Sequence, residues 1–210
     1  MKKVSLRILG AGVIACAAIV GCNNDAFKYR PTLLARVDTI TVFALNGTPA
    51  VLPSGVNIGA GQISGDTIVM RPTAVPSDGS TIFDFAVDID ATGSVVIFPA
   101  PLVVRSATRR VGLQKSATAF DALTQAPQNG YGYDSVSVTL GASDLLVVQA
   151  QRAGIGERCY ERSTYGYDPV LYAKAQVIAV NTAERSVKLR VVLNPNCGFR
   201  GLKPGSVSGN

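Results

Sequence analysis

The chain contains no histidine, and this absence limits the chemistry that its side chains can do. Ser-His-Asp catalysis, Cys-His catalysis and histidine-based metal binding all need an imidazole. Glutamate is also rare, and two of its three positions, Glu157 and Glu161, stand beside arginines in a predicted loop. A glycosidase-like pair of carboxylates, in which one acid has a raised pKa, therefore has little support. We predict a protein with no catalytic residues and no cofactor.

The four cysteines fall into two groups, Cys16 and Cys22 near the start of the chain and Cys159 and Cys197 near its end. The charged and then apolar beginning of the chain is typical of an export signal. In an exported protein, two cysteines more often form a disulfide than bind a metal or catalyse a reaction. We predict a structural disulfide between Cys159 and Cys197, joining the long loop after Gln151 to the turn after the last strand. A redox-active or metal-binding thiol pair is the alternative.

Three carboxylates, Asp84, Asp88 and Asp90, lie in TIFDFAVDID, which has the clearest period-2 pattern in the chain. The apolar residues of the opposite face are Phe83, Phe85, Val87 and Ile89. This alternation predicts a half-buried strand of an antiparallel sheet with a solvated acidic face. Carboxylates suit Ca²⁺, but side chains two residues apart on a strand stand about 7 Å apart. We predict no metal site here, with a cation contact as the alternative.

Basic residues are scattered except for Arg105, Arg109 and Arg110, which are followed by Lys115. This group is a candidate for contact with anions: acidic headgroups, lipopolysaccharide phosphates or an acidic partner. The alternative is a set of exposed charges near the end of a strand with no ligand.

Five tyrosines lie in predicted loops that contain glycine: Tyr131, Tyr133, Tyr160, Tyr165 and Tyr167. Tyrosine combined with glycine and serine is the composition of many recognition surfaces. These loops are therefore the candidate site for binding a partner. The alternative is that the tyrosines pack the bases of the loops over one end of a sheet.

The beginning of the chain has the pattern of an export signal. Three positive charges, Lys2, Lys3 and Arg7, precede an uncharged apolar run at 8–20, which is shorter than the roughly 20 residues of a membrane span. The run ends in Ile19-Val20-Gly21-Cys22, which resembles the lipobox of bacterial lipoproteins. The resemblance implies cleavage before Cys22, a diacylglycerol thioether on its sulfur and acylation of the new amino group.

The alternative is an ordinary secretory signal that is cut after Ala15-Cys16-Ala17. Lipidation accounts better for the cysteines, because it leaves Cys159 and Cys197 as an even pair. In the lipoprotein family an aspartate after the lipidated cysteine favours the inner membrane, and Asn23 in that position gives a mild preference for the outer membrane. Removing the signal also lowers the net charge from +6 to +3, because 17 basic and 14 acidic residues remain. A net charge of this size does not indicate nucleic-acid binding.

The composition is that of short strands joined by turns, rich in glycine, proline, threonine, serine and valine. We predict an all-β fold: an antiparallel β-sandwich or irregular barrel of about ten short strands with at most one short helix. The predicted divisions are a signal peptide (1–21), a lipidated tether (22–34), a single β domain (35–203) and a flexible tail (204–210).

Three hairpins are predicted: residues 81–90 with 94–98, residues 134–140 with 144–151, and residues 170–180 with 186–194. Residues 102–105 are predicted to be an edge or crossing strand. The segment 116–124 is either a short helix with Ser116 as its N-cap or a further strand.

The closing run LYAKAQVIAVNTAERSVKLRVVLNP resembles the last hairpin of some β-rich envelope lipoproteins, including the haem-binding HmuY-like group. The haem ligands of that group are histidines, which this chain lacks, so haem binding is not implied.

Together these features predict a lipid-anchored domain of the bacterial envelope, on the periplasmic face of a membrane or at the cell surface. We expect it to bind or support a membrane-protein or envelope partner without catalysis, for example as an accessory subunit of a membrane complex. One alternative is a carrier of a small molecule or lipid with a pocket between the sheets. Another is a hydrolase that works without histidine.

Overall fold

A computed structural model describes residues 31–64, 67–107, 109–128, 132–141, 144–152, 159 and 169–207. In these residues ten strands form two five-stranded antiparallel sheets, and the one helix is short, which confirms the predicted all-β sandwich. The elements are β1 (Arg36–Phe43), β2 (Gly55–Ser64), β3 (Thr67–Val75), β4 (Phe85–Ile89), β5 (Val95–Pro99), α1 (Ala100–Val103), β6 (Val111–Ser116), β7 (Val138–Leu140), β8 (Leu145–Gln151), β9 (Val170–Asn181) and β10 (Ser186–Asn194). The predicted signal peptide and Cys22 lie outside the described residues.

The two sheets have different strand orders. The first sheet is β1-β10-β9-β8-β6, and the second is β3-β2-β4-β5-β7. Their facing sides supply one apolar core, to which β10 contributes Val187, Leu189, Val191 and Leu193, each at most 1% exposed. The predicted hairpin of this strand with β9 is confirmed.

The strand β8, inside the first sheet, is buried on both faces. Leu145, Leu146, Val147 and Val148 follow one another in β8 and are all at most 1% exposed. A continuous apolar run of this kind is typical of a strand covered on both sides. The outer face is covered by the segment around Phe120 and by residues near the carboxyl end of the chain, which form two smaller apolar clusters against the sheet.

The predicted hairpin between residues 134–140 and 144–151 is wrong. β7 pairs with β5 in the second sheet, whereas β8 pairs with β6 and β9 in the first. The chain therefore crosses from one sheet to the other between these two strands. Alternation shows which side of a strand meets the core, but it does not show which of two facing sheets the strand joins.

Two short segments also differ from the prediction. Residues 100–103 form α1 and not part of a strand, with a proline in the first turn, where its missing N–H costs no hydrogen bond. Ser116 ends β6, and the residues after it form a turn in which the amides of Ala122 and Leu123 both donate to the Ala119 carbonyl. This segment is neither the predicted helix nor a strand.

The strand register defines two ends of the sandwich. At one end Arg36 of β1 pairs with Leu193, and at the other Phe43 pairs with Ser186. We call the first the tether end, because residues 31–35 lead into β1 there, and the second the far end. The predicted flexible tail is tied to the tether end as far as Ser206, whose carbonyl accepts from the Ala35 amide at 2.9 Å.

Candidate functional site

Of the five tyrosines predicted to form a recognition surface, the structure describes Tyr133. Its hydroxyl donates to the Pro127 carbonyl at 3.2 Å, and its ring lies 6.3 Å from that of Tyr172. A side chain at Gly112 would come within 2.8 Å of Tyr133, so the glycine makes room for it. Burial raises the pKa of Tyr133. This tyrosine therefore packs a loop onto the first sheet. Tyr131, Tyr160, Tyr165 and Tyr167 lie outside the described residues.

The predicted anion-binding arginines do not share one environment. Arg105 and Arg110 are exposed, whereas Arg109 donates to Asp84 at 3.2 Å. Arg109 is therefore committed to a carboxylate within the protein. The structure supplies no cluster of three solvent-facing guanidinium groups at this position.

Asp84 is fully buried, so the predicted solvated acidic face is wrong at this residue. Arg152 donates to its Oδ2 at 2.7 Å, and the Ile58 amide donates to the same oxygen at 2.7 Å. Arg152 and Arg109 flank strands of the first sheet, whereas Asp84 and Ile58 belong to the second. The carboxylate therefore links the two sheets through charge-assisted hydrogen bonds.

Asp88 makes a second cross-link, at the far end. It is also buried, as is every residue of β4, so the predicted half-buried strand with a solvated acidic face is wrong here too. Arg185 donates to Asp88 at 3.1 Å and to the Asn46 carbonyl at 2.8 Å, while the Asn46 amide group donates to Asp88 at 2.6 Å. Arg185 has a φ of 52°, which is uncommon for a residue other than glycine. These contacts hold the β9–β10 turn in this conformation.

Lys174 is buried on the outer face of the first sheet, and no pattern in the sequence singles it out. Its ammonium group donates to the carbonyls of Phe120 and Leu123 and lies 4.4 Å from the centre of the Phe120 ring. Desolvation lowers the pKa of Lys174. Both carbonyls belong to the turn that covers the sheet, so we assign Lys174 a packing role.

The predicted disulfide between Cys159 and Cys197 is present, and both residues are at most 1% exposed. It ties residue 159 to the turn that follows β10. Asn196, next to Cys197, accepts from the amides of Thr32 and Leu33 at 3.0 Å each. The position where the chain enters the domain is therefore held to the disulfide-bonded turn.

The best candidate for binding a partner is an open strand edge at the far end. Pairing between β9 and β8 stops at Gln176, opposite Leu145. From Val177 to Asn181, β9 pairs with β10 on one side, and the described residues place no strand against its other side. An unpaired edge presents backbone N–H and C=O groups to any extended chain that approaches it.

This edge borders a groove of about 290 Å³, which we call the β9 groove. Its walls are residues 177–180 of β9, residues 92–95 at the start of β5 and residues 140–141 at the end of β7. Ile178 and Val180 are 47% and 38% exposed. The register of the β9–β10 pairing shifts between Lys188 and Leu189, so Ile178 of β9 has no partner in β10, as in a β-bulge.

Polar groups surround the β9 groove. Thr92 and Ser94 line it, and Asp144 accepts from the Gly141 amide and from Lys115, both at 2.6 Å. The Lys115 ammonium lowers the pKa of Asp144. Apolar side chains inside a polar rim are the usual arrangement of a protein interface.

The lengths of two strands predicted from the sequence indicate that an open edge like this one should exist. The predicted strand 170–180 is longer than the predicted strand 144–151, so one of them must extend beyond the other when they pair. The sequence alone does not show that they pair, and the overhang could not be located without that pairing.

The chain matches no protein-family model, and no curated protein or solved structure matches it significantly. Among the described residues, no helix is long and apolar enough to cross a bilayer. In the same part of the chain, no group of three or more Cys, Asp or Glu side chains is placed to hold a metal ion.

Proposed function

We propose that this chain is a lipid-anchored domain of the bacterial cell envelope that binds an extended segment of a partner protein without catalysis. The proposal for the anchor depends on the lipobox-like sequence ending at Cys22. The proposal for binding depends on one observation, the open edge of β9 beside an apolar groove. An extended segment that adds to this edge would gain backbone hydrogen bonds, and its side chains would enter the groove.

The geometry supports this function better than it supports the carrier alternative. A carrier needs an enclosed, mostly apolar cavity of several hundred Å³. Between the two sheets, side chains of both sheets pack against each other in one buried cluster, which includes Phe85, Ile97, Leu146 and Leu189. The β9 groove lies at one end of this cluster and is bordered by an open edge, which suits a chain better than a small enclosed ligand.

A charge placed in the β9 groove tests the proposal. Val180→Lys puts an ammonium group beside the open edge, and natural sheets use lysine in this way to prevent edge-to-edge pairing. Val51→Lys makes the same change at a residue that is 82% exposed in the loop after β1. Each lipidated variant would be purified from native membranes, and the amount of co-purifying protein would be compared with that of the wild type.

We expect Val180→Lys to lower the recovery of the partner about tenfold, which corresponds to roughly 1.4 kcal/mol of binding free energy. Val51→Lys should recover as much partner as the wild type. Equal recovery with both variants would contradict the assignment of the binding site to the β9 groove.

A further inference from the structure

We infer that a second surface, at the tether end, docks the domain against an anionic bilayer. This surface, which we call the tether corner, consists of the exposed apolar residues Leu34, Val37 and Val207 and the exposed basic residues Arg36, Arg71 and Lys203. The inference assumes the lipid anchor of the proposed function. It does not depend on what binds at the β9 groove.

The apolar residues of the tether corner lie on two segments that hydrogen bonds hold together. The Ala35 amide donates to the Ser206 carbonyl at 2.9 Å, and the Gly205 amide donates to the Ala35 carbonyl at 2.9 Å. Leu34 and Val207 flank these pairs and are 49% and 46% exposed, and Val37 is 39% exposed. Three exposed apolar side chains therefore lie on adjoining segments at this end, and such a group is a candidate interaction surface.

The charges around these residues identify the partner. Leu34, Val37, Arg36 and Arg71 line one groove of about 280 Å³, in which Asp38 is the carboxylate. Lys203, whose carbonyl accepts from the Ser206 amide, adds a third cation. Apolar side chains among basic ones match the interface of an anionic bilayer, where acyl chains lie beneath phosphate groups.

The tether brings this surface to the bilayer. Asn196 holds Thr32 and Leu33 in place, and its Nδ2 donates to the Leu33 carbonyl at 2.7 Å, so the chain leaves the domain at the tether corner. Thr32 lies ten residues after Cys22, so their Cα atoms are at most about 36 Å apart. A short tether gives a high effective concentration, so even weak contacts between the corner and the headgroups would be populated.

Docking in this way would direct the β9 groove away from the membrane. The groove begins at Val177, seven residues along β9 from Val170. Seven residues of strand extend about 23 Å. A domain that stands on its tether corner would therefore present the β9 groove to partners beyond the headgroup layer.

Tryptophan fluorescence tests the inference, because the chain has no tryptophan of its own. Val207→Trp places a reporter in the tether corner, and Val51→Trp makes the same change at the far end. Each lipidated full-length mature protein would be reconstituted into vesicles of phosphatidylcholine, with or without phosphatidylglycerol, in which part of the acyl chains carry bromine. We expect bromine to quench V207W in vesicles with phosphatidylglycerol, and V51W to emit as it does in water.

A charge reversal tests the electrostatic part of the inference in the V207W background. Lys203→Glu should lower the ratio of docked to undocked domain about twentyfold, since one cation near an anionic surface contributes about fivefold and the carboxylate adds repulsion. Lys188→Glu, an equal change on β10 near the far end, should leave the ratio unchanged. Mass spectrometry of the same samples reports the lipid on Cys22. A lipidated V207W that bromine quenches no more than V51W would overturn the docking surface, whereas a chain without lipid would overturn the anchor.

Discussion

At the scale of single residues, Asp84 is a buried charge on which the stability of the fold should depend. It is a fully buried carboxylate with an arginine on each oxygen, and the arginines come from positions 25 and 68 residues further along the chain. A buried charge is tolerated only when it is paired and hydrogen-bonded. The three side chains therefore form one unit that specifies how the sheets face each other.

Removing this carboxylate should destabilise the protein strongly. Asp84→Ala leaves Arg109 and Arg152 in place without their shared anion, and breaking a buried pair in this way costs about 3–5 kcal/mol. Urea unfolding would measure the free energy of unfolding. Asp78→Ala removes a carboxylate that accepts from Ser80 in an exposed turn, and it should cost much less. Equal losses for the two variants would contradict the role of Asp84.

The sequence predicts some of these residues and not others. The pairing of Cys159 with Cys197 follows from the predicted export and from the even number of cysteines that the predicted processing would leave. The burial of Asp84 could not be predicted, because alternation alone does not distinguish a face in water from a face covered by arginines of distant segments. Arg152 and Arg109 acquire their role only when the two sheets come together.

At the scale of elements, the turn between β4 and β5 has a charge-dependent hydrogen-bond network. Asp90 accepts from the Thr92 amide and hydroxyl and from the Ser94 amide. These hydrogen bonds, that of the Thr92 side chain above all, lower the pKa of Asp90 below its ordinary value of 3.8. The folded protein therefore favours the carboxylate form more than the unfolded chain does.

The loss of folding stability at acid pH should depend on the turn between β4 and β5. A lowered pKa in the folded state contributes stability that is present above pH 3.8 and is lost as the pH falls through the lowered value. Asp90→Asn keeps an acceptor oxygen but cannot titrate. The wild type should therefore lose stability more steeply below pH 3.8 than the variant does, measured by urea unfolding between pH 5 and 2. Parallel curves would rule out this contribution.

The disulfide between Cys159 and Cys197 stabilises the fold by closing a long loop. It closes a loop of 38 residues, which on the chain-entropy model stabilises the folded state by about 4 kcal/mol. The double variant Cys159→Ser/Cys197→Ser should lose about this amount relative to the oxidised wild type in urea unfolding. An unchanged midpoint would show that the unfolded chain gains little freedom when the bond is absent.

Elements differ in how far the sequence determines them. The β9–β10 hairpin follows from two strand-like runs around a short turn, and the two strands pair as predicted. The pairing of β7 and β8 does not follow from their adjacency, because the chain changes sheets between them. The end of β9 extends beyond β8 because β8 begins only after the chain has crossed from the second sheet to the first.

At the scale of the whole molecule, the two candidate surfaces lie at opposite ends of the sandwich. The tether corner is at the start of β1, and the β9 groove is beside the β9–β10 turn. The contacts of Asp84 and of Asp88 with arginines connect the two sheets to each other. We propose that this arrangement separates attachment from binding: one end stands on the bilayer and the other presents an open strand edge to an envelope partner.

The central claim is that the working protein begins at Cys22 and is attached to a membrane through it. Mass spectrometry of the protein isolated from native membranes tests this claim most directly. We predict that the amino-terminal peptide starts at Cys22 and carries a diacylglycerol and an acyl group. A chain that keeps residues 1–21, or one whose Cys22 is unmodified, would contradict the account.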